Sequence, residues 1–158
     1  MSRRTLINLL LFALAGLLGL LVWWLQPQPL PALTSLSPEQ VERIRISHAG
    51  GEEILLIRRS DGWSLDGAPA NTDRIEQLLG ICATPSLRRF AVPTEDLRQF
   101  GLDRPVLRLW LNDLVLSFGT TDPVHGWRYV RLGETIHLIG DGFHHHLNAA
   151  ADEFLERP

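Results

Sequence analysis

Residues 62–66 come closest to a catalytic motif in this chain of 158 residues. They read Gly-Trp-Ser-Leu-Asp, one residue away from the Gly-x-Ser-x-Gly turn that presents a nucleophilic serine in α/β-hydrolases. Asp66 stands where that turn needs its second glycine, and Asp-Gly turn signals enclose the segment where a strand and a long helix are required. We therefore expect Trp63 to pack in the core and Ser64 to have no catalytic role.

The histidines and the cysteine do not form a metal-binding pattern. His144, His145 and His146 are adjacent, so on a helix they would point about 100° apart and could not converge on one ion. Cys82 is the only cysteine, which excludes a four-thiolate zinc site, and it falls on the apolar face of a predicted helix. The chain has no lysine, which removes Schiff-base and Ser–Lys chemistry. We expect no catalytic residue, no metal and no cofactor.

Gly140-Asp141-Gly142 lies between a predicted strand and a predicted helix, as a dinucleotide-binding turn would. The third glycine of that motif would be residue 145, which is histidine. We expect Asp141 to cap the helix instead.

A turn-rich loop at residues 120–128 contains the best candidates for a binding site. Asp122, His125 and Arg128 lie close together in sequence, and Arg131 follows on the opposite face of a predicted strand from Arg128. We predict that these four residues contact a partner. The alternative is a periplasmic ligand-binding module or hydrolase, which needs a concave site with convergent polar groups in this loop region.

Residues 5–25 predict a transmembrane anchor. The stretch has no charged residue and contains ten leucines, and as a helix it would be about 32 Å long, enough to cross a hydrocarbon core of about 30 Å. The rival interpretation is a cleaved signal peptide with a small-x-small site ending at Ala15, but the apolar run continues ten residues further. The small residues Ala15 and Gly19, four apart, could also form a helix–helix contact.

The charges around this span predict its orientation. Arg3 and Arg4 precede it, and no positive charge follows until Arg43, so the positive-inside rule places residues 1–4 in the cytoplasm. We expect a single-pass protein of the bacterial inner membrane that contacts lipid through residues 5–25, with its C-terminal domain in the periplasm.

The rest of the chain divides into a stalk and a domain. Residues 26–33 carry three alternating prolines and predict a short, semi-rigid stalk. Residues 34–158 hold all 18 acidic residues and all the arginines except Arg3 and Arg4, so 13 of the 15, which gives a formal charge of −5. That charge argues against nucleic-acid binding.

The hydrophobic pattern of the domain predicts an α+β fold with a mainly antiparallel sheet and a few helices. A three-stranded meander over residues 41–65 precedes a helix capped by Asn71 or Thr72. A strand follows at 86–92, then a short helix from Thr94 to Phe100, and two hairpins turn at 112–113 and 133–134. A final helix over 143–155 would bury Leu147, Ala150, Ala151, Phe154 and Leu155. The order of strands and then a helix, occurring twice, predicts two meander-plus-helix halves.

An ordered series of short phrases resembles a known family. The series runs from Leu33-Thr34-Ser35-Leu36, Pro38-Glu39-Gln40-Val41 and Ile44-Arg45-Ile46 through Asp61-Gly62-Trp63, Pro69-Ala70-Asn71 and Phe100-Gly101-Leu102-Asp103-Arg104-Pro105 to Phe118-Gly119-Thr120-Thr121-Asp122 and Arg128-Tyr129-Val130-Arg131. In this order it resembles the bacterial domain-of-unknown-function family numbered 4340, over most of residues 33–158.

That resemblance implies an N-terminally anchored envelope protein without established catalysis. Some similar proteins are associated with gliding-type auxiliary ABC-transporter components, which implies an accessory subunit. The resemblance supplies no catalytic residues. We therefore expect a non-enzymatic accessory or scaffold protein that docks a partner membrane complex.

Overall fold

The structure, a computed structural model, describes residues 2–26, 29–51, 53–93 and 96–156, except the side chains of His144 and His145. It consists of an N-terminal apolar helix followed by a nine-stranded antiparallel sheet with short helices, which confirms the predicted α+β class.

The N-terminal helix α1 (Arg3–Trp24) is long and apolar enough to cross a membrane. Its mean hydropathy is 2.5, and no residue of it is buried against the rest of the chain. The Ser2 hydroxyl accepts a hydrogen bond from the Thr5 backbone N–H at 3.3 Å and caps the first turn. Such a helix is typical of a membrane anchor or a signal sequence, because 22 residues of exposed leucine-rich surface are stable only in an apolar environment.

The sheet consists of two meanders that meet in the middle. Its order is β4-β3-β2-β1-β6-β7-β8-β9-β5, and every neighbouring pair is antiparallel. A helix follows each meander in sequence, so strands and then a helix occur twice. The elements are β1 (Arg43–His48), β2 (Glu53–Arg59), β3 (Gly62–Leu65), β4 (Ala68–Pro69), α2 (Thr72–Leu79), β5 (Arg88–Ala91), β6 (Leu107–Leu111), β7 (Leu114–Thr121), β8 (Arg128–Leu132), β9 (Thr135–Ile139) and α3 (His144–Leu147).

The local signals that start and end these elements act as predicted. The Asn71 side chain accepts from the Arg74 backbone N–H at 3.1 Å and begins α2, whose Ile75, Leu78 and Leu79 are buried. The two hairpins turn at the predicted pairs, with Asn112 and Gly133 both at positive φ. Asparagine and glycine tolerate that conformation better than other residues.

One face of the sheet, the core face, packs against α2 and the segments around it. Alternate residues of each strand point to this side, and those of β1 and β6 are almost fully buried. The central side chains of this core are Ile44, Ile46, Leu56, Leu109, Leu111, Leu116, Phe118 and Val130.

The opposite face is covered at one end only. A 3₁₀ turn (Leu97–Phe100) crosses it near β8 and β9, and the Phe100 ring lies 5.5 Å from Phe90 and 5.0 Å from Tyr129, centroid to centroid. Ile136, Leu138 and Leu102 are buried here, outside the main core. We call the uncovered remainder, from β2 to β7 with Arg131 of β8, the open face.

The predicted helix over residues 143–155 is wrong. Only α3 is α-helical; Asp141–Phe143 and Ala151–Phe154 are 3₁₀ turns. Ala150 is extended and exposed, and Ala149 is buried in its place. The reason is a tertiary pairing: Phe154 O accepts from Asn71 N–H at 2.8 Å, and the Glu156 N–H donates to Pro69 O at 3.2 Å. In a helix through Leu155 the Glu156 N–H would donate to Asp152 O within the helix, so it could not donate to Pro69 of β4.

Two other predicted segments differ in detail. The helix expected from Thr94 to Phe100 is a 3₁₀ turn capped by the Asp96 carboxylate, while the proposed cap Thr94 lies outside the described residues. The end of the predicted stalk lies on the domain, because the Leu33 N–H donates to Thr84 O at 2.7 Å and the Ser86 N–H donates to Pro31 O at 2.9 Å. Leu33 itself is buried in the core.

Replacing Gly119 with alanine tests the covered end of the sheet. A Cβ at this position would lie 2.0 Å from the Phe100 carbonyl oxygen, which is a backbone atom that cannot rotate away. We expect Gly119→Ala to lower the free energy of unfolding by about 2–3 kcal/mol, a typical cost of overpacking. Urea denaturation of the full chain in detergent, followed by near-ultraviolet circular dichroism, measures this loss.

Gly140→Ala is the matched control, because a Cβ there meets nothing within 4 Å. An equal loss of stability in both variants, or none in Gly119→Ala, would contradict the close approach of residue 100 to β7.

Candidate interaction surface

Asp122 and His125 form a self-contained turn. The Asp122 carboxylate accepts from the His125 backbone N–H at 2.8 Å and lies 2.9 Å from His125 Nδ1. The His125 ring stacks on Trp127 with centroids 4.3 Å apart. These hydrogen bonds, first of all the one from the His125 backbone, lower the pKa of Asp122. The predicted pair therefore comes together, but its polar groups satisfy each other.

Arg128 points away from that turn into the protein. Its Nη2 donates to the Asp141 carboxylate at 3.0 Å, its Nε donates to the other oxygen of the same carboxylate, and its Nη1 donates to Gly119 O at 2.7 Å. Arg128 is 9% exposed. Asp141 therefore binds Arg128, where the sequence indicated a helix cap. The pair joins β8 to the irregular end of β7 and to the turn after β9.

Arg131 lies on the open face, on the opposite side of β8 from Arg128. Side chains alternate between the two faces of a strand, so residues three apart point to opposite sides. Its Nε donates to Gly133 O at 2.9 Å and its Nη2 lies 3.4 Å from the Glu134 carboxylate. The structure thus does not unite the four predicted residues: Asp122 and His125 share a turn, and the two arginines occupy opposite faces. Ala15 and Gly19 lie within α1.

A small cavity of about 340 Å³ lies beside Arg128. Its walls include Leu107, Phe118, Thr120, Thr121 and Leu147. Asp122 and His125 do not line it. The loop at 120–128 contributes Thr120, Thr121 and Arg128 to this cavity. The guanidinium that reaches it is already paired with a carboxylate.

Ser64, the nearest match to a nucleophile, is tied into the sheet. Its hydroxyl accepts from Arg59 Nε at 3.0 Å and donates to Ile57 O at 3.3 Å, and the neighbouring Trp63 is buried as predicted.

A serine–histidine contact that the sequence did not reveal joins Ser86 to His137. Ser86 Oγ lies 2.8 Å from His137 Nδ1, and the same hydroxyl donates to Arg88 O at 3.3 Å. Such a pair is the arrangement of an activated nucleophile, but both residues are buried. Burial lowers the pKa of His137, with a smaller contribution from Arg89. The contact fastens the segment before β5 to β9.

A concavity of about 750 Å³ lies where the C-terminal segment meets the start of α2. Asp61, Asp73, Glu153 and Glu156 line it, and Arg74, the one cation among the described lining residues, pairs with Glu153. Its carboxylates make this groove unsuitable for an anionic ligand.

The open face has the opposite charge. Cross-strand neighbours place Leu55, Arg45, Trp110 and Val115 in one row and Ser47, Arg108, Ser117 and Arg131 in the next. The Arg45 guanidinium lies 4.2 Å from the centre of the Trp110 ring, a cation–π contact, and Arg43 stands beside Ile57. The sequence does show arginines at alternate positions of its predicted strands. It does not show the strand register that brings arginines of different strands onto one surface.

A pocket of about 280 Å³ lies within the open face. Leu102, Pro105 and Val115 line its apolar side. Its polar side is lined by Arg108, Ser117, Arg131 and Glu134, the carboxylate that pairs with Arg131. Leu102 and Pro105 belong to the segment that follows the 3₁₀ turn over the covered end of the sheet. The open face is therefore a flat, partly apolar, arginine-bearing surface with one concave site.

Comparison with known proteins gives one match. The family described as Domain of unknown function (DUF4340) matches residues 63–157, which is 95 of the 158 residues. No curated protein and no solved structure matches the chain.

Removing the Arg128 guanidinium tests whether this residue is structural. We expect Arg128→Gln to lower the free energy of unfolding by about 2–3 kcal/mol, because the Asp141 carboxylate and the Gly119 carbonyl lose their donor. Arg98→Gln, which removes a more exposed arginine paired with Asp96, should cost about 0.5 kcal/mol or less. Denaturation of both full-length variants in detergent decides the matter, and similar stabilities for both would contradict a structural role for Arg128.

The buried histidine predicts a pH dependence. The pKa of His137 is lower in the folded state than in the unfolded state, so the unfolded chain binds the extra proton. Stability therefore falls as pH drops through about 6.5, the ordinary pKa of a histidine in the unfolded chain. In His137→Gln this part of the pH dependence should disappear, whereas His125→Gln should retain it. Unfolding curves of the three proteins at several pH values measure the difference, and parallel curves for wild type and His137→Gln would contradict the prediction.

Proposed function

The chain belongs to the family described as Domain of unknown function (DUF4340), and we propose that it is a non-enzymatic, membrane-anchored accessory protein that docks a partner complex of the bacterial envelope. In this proposal α1 stays attached as a single inner-membrane span, residues 1–4 are cytoplasmic, and the sheet domain lies in the periplasm. The positive-inside distribution of Arg3 and Arg4 supports the orientation.

The observation that carries the proposal is the open face. A sheet normally buries one face and solvates the other, yet here the solvated side combines arginines with Leu55, Ile57, Trp110 and Val115. Aromatic residues and arginine are enriched in protein interfaces, and a flat surface of this kind is typical of docking and not of catalysis.

The short tether supports a partner in or near the membrane. Residues 31–34 are held on the domain through Thr84, Ser86 and Cys82. Only residues 25–30 therefore link the end of α1 to the domain, and six residues reach at most about 20 Å. Pro31, where the chain joins the domain, therefore lies within that distance of the bilayer surface, and the open face lies within that distance plus the width of the domain. An ABC-transporter complex, the partner class that the family resemblance implies, satisfies this condition.

A second candidate function is a periplasmic ligand-binding module that uses the cavity beside Arg128. The observation in its favour is that loop residues Thr120, Thr121 and Arg128 do line a concave space of about 340 Å³. Its apolar walls suit a small apolar molecule better than an anion, because Asp141 already neutralises Arg128.

Photo-crosslinking in intact cells separates the two functions. A benzoylphenylalanine in place of Val115, on the open face, should crosslink to one defined membrane protein. The control has the same substitution at Val124, which is 78% exposed but lies in the loop at 120–128 and not on the open face, and it should not crosslink. Recovery of uncrosslinked protein alone from both positions would contradict docking through the open face.

A labelling control tests the orientation on which this experiment depends. Val124→Cys should react with a membrane-impermeant maleimide in spheroplasts, Ser2→Cys should react only after lysis, and wild type should stay unlabelled because Cys82 is buried. Labelling of Val124→Cys only after lysis, or a mature chain that has lost α1, would overturn the proposed topology.

A further inference from the structure

We infer that the open face carries a carboxylate-binding site at Arg108, Ser117 and Arg131, and that its occupant is an acidic segment of the partner polypeptide. The inference rests on the proposed function, since it names the partner chemistry of the docking surface.

The three residues form a row across neighbouring strands. Arg108 of β6 pairs with Ser117 of β7, which pairs in turn with Arg131 of β8. Neighbouring strands are about 4.8 Å apart, so the two arginines stand about 10 Å apart at their Cα atoms with a hydroxyl between them. Two guanidinium groups and one hydroxyl around a pocket of about 280 Å³ provide donors on three sides of a carboxylate.

Both arginines are available to a ligand. Arg108 is exposed and has no hydrogen bond or ion pair within the described ranges. Arg131 is about one-third exposed, and its 3.4 Å contact with the highly exposed Glu134 is a surface pair of the kind that contributes little. A carboxylate from a partner can replace Glu134 without leaving any buried charge unpaired.

The surroundings match a polypeptide better than a free anion. Val115, Leu102 and Pro105 wall the apolar side of the pocket, and Trp110 lies beside Val115 in the adjoining row. A segment that alternates carboxylates with apolar side chains would therefore contact both rows. Desolvation by the apolar wall strengthens the hydrogen bonds to the carboxylate.

The charge of the face selects the partner. Five arginines outnumber two carboxylates on this face, while the domain as a whole has a formal charge of −5. The arginines are Arg43, Arg45, Arg59, Arg108 and Arg131, and the carboxylates are Glu53 and Glu134. A second copy that presents the same face would bring like charges together, so a symmetric dimer is disfavoured. An anionic lipid surface would attract the face but repel the remaining domain surface, which carries the negative excess.

Peptide binding to the full chain in phosphatidylcholine nanodiscs tests the inference. The probe is a fluorescent twelve-residue peptide with three repeats of Glu-Val-Glu-Ser, and its control has glutamine in place of every glutamate. We expect the acidic peptide to bind, its affinity to fall as salt is raised from 20 to 200 mM, and the glutamine peptide to bind at least tenfold more weakly.

Three variants locate the site. Arg108→Gln combined with Arg131→Gln should weaken acidic-peptide binding at least tenfold, and Ser117→Leu, which fills the pocket while keeping both charges, should also weaken it. Arg88→Gln removes an exposed arginine from the same side of the sheet at the far strand β5 and should change affinity less than twofold. Thermal unfolding by circular dichroism verifies that each variant is folded.

Several outcomes would overturn the inference. They are equal binding of the two peptides, an unchanged affinity in the double variant, and an equal loss in Arg88→Gln. Flotation of the nanodiscs with phosphatidylglycerol vesicles but not phosphatidylcholine vesicles, lost in the double variant and without peptide binding, would assign the face to anionic lipid. If the acidic peptide does not bind but the Val115 crosslink persists, docking through the open face is supported and the carboxylate site is contradicted. If the peptide binds but no crosslink forms, the carboxylate site is supported and the docking proposal is contradicted.

Discussion

The pairing of β1 with β6 is the interaction on which the rest of the domain depends. These are the first strands of the two meanders, and their hydrogen bonds join the meanders into one sheet. The same register sets Ile46 beside Leu109 on the core face and Arg45 beside Trp110 on the open face. Because side chains alternate along a strand, the core face and the open face are two sides of one set of hydrogen bonds. A shift of one residue would bury the arginines and expose the core.

The covered end of the sheet defines where the open face stops. Gly119 lets the backbone at Phe100 lie directly on β7, and the chain then continues through Leu102 and Pro105. Those two residues form the apolar wall of the pocket beside Arg108 and Arg131. The pocket therefore arises where a covering segment ends on the sheet, and its shape depends on Gly119, which is not among its lining residues.

The candidate residues illustrate how far sequence reasoning reached. Alternation along one strand correctly placed Arg128 and Arg131 on opposite faces. It could not show that Arg128 binds Asp141, thirteen residues away, or that Arg131 shares a row with Arg108 on another hairpin. The Ser86–His137 contact joins residues 51 apart and had no local signal. Asp122 and His125, three apart in a loop that the sequence marks as turn-rich, do contact each other, because a turn brings such residues together.

The sequence by itself determined the elements whose hydrogen bonds and side-chain contacts are local: the apolar helix α1, the capped helix α2, and the hairpins at Asn112 and Gly133. Only the tertiary structure decided that residues 148–150 leave the helix after α3, that residues 31–33 belong to the domain, and that arginines of β1, β2, β6 and β8 share one face. In each of these cases the outcome depends on hydrogen bonds or strand pairings between segments far apart in sequence. Burial of the core compensates the cost of ordering such long-range partners, and no local pattern records which partner is chosen.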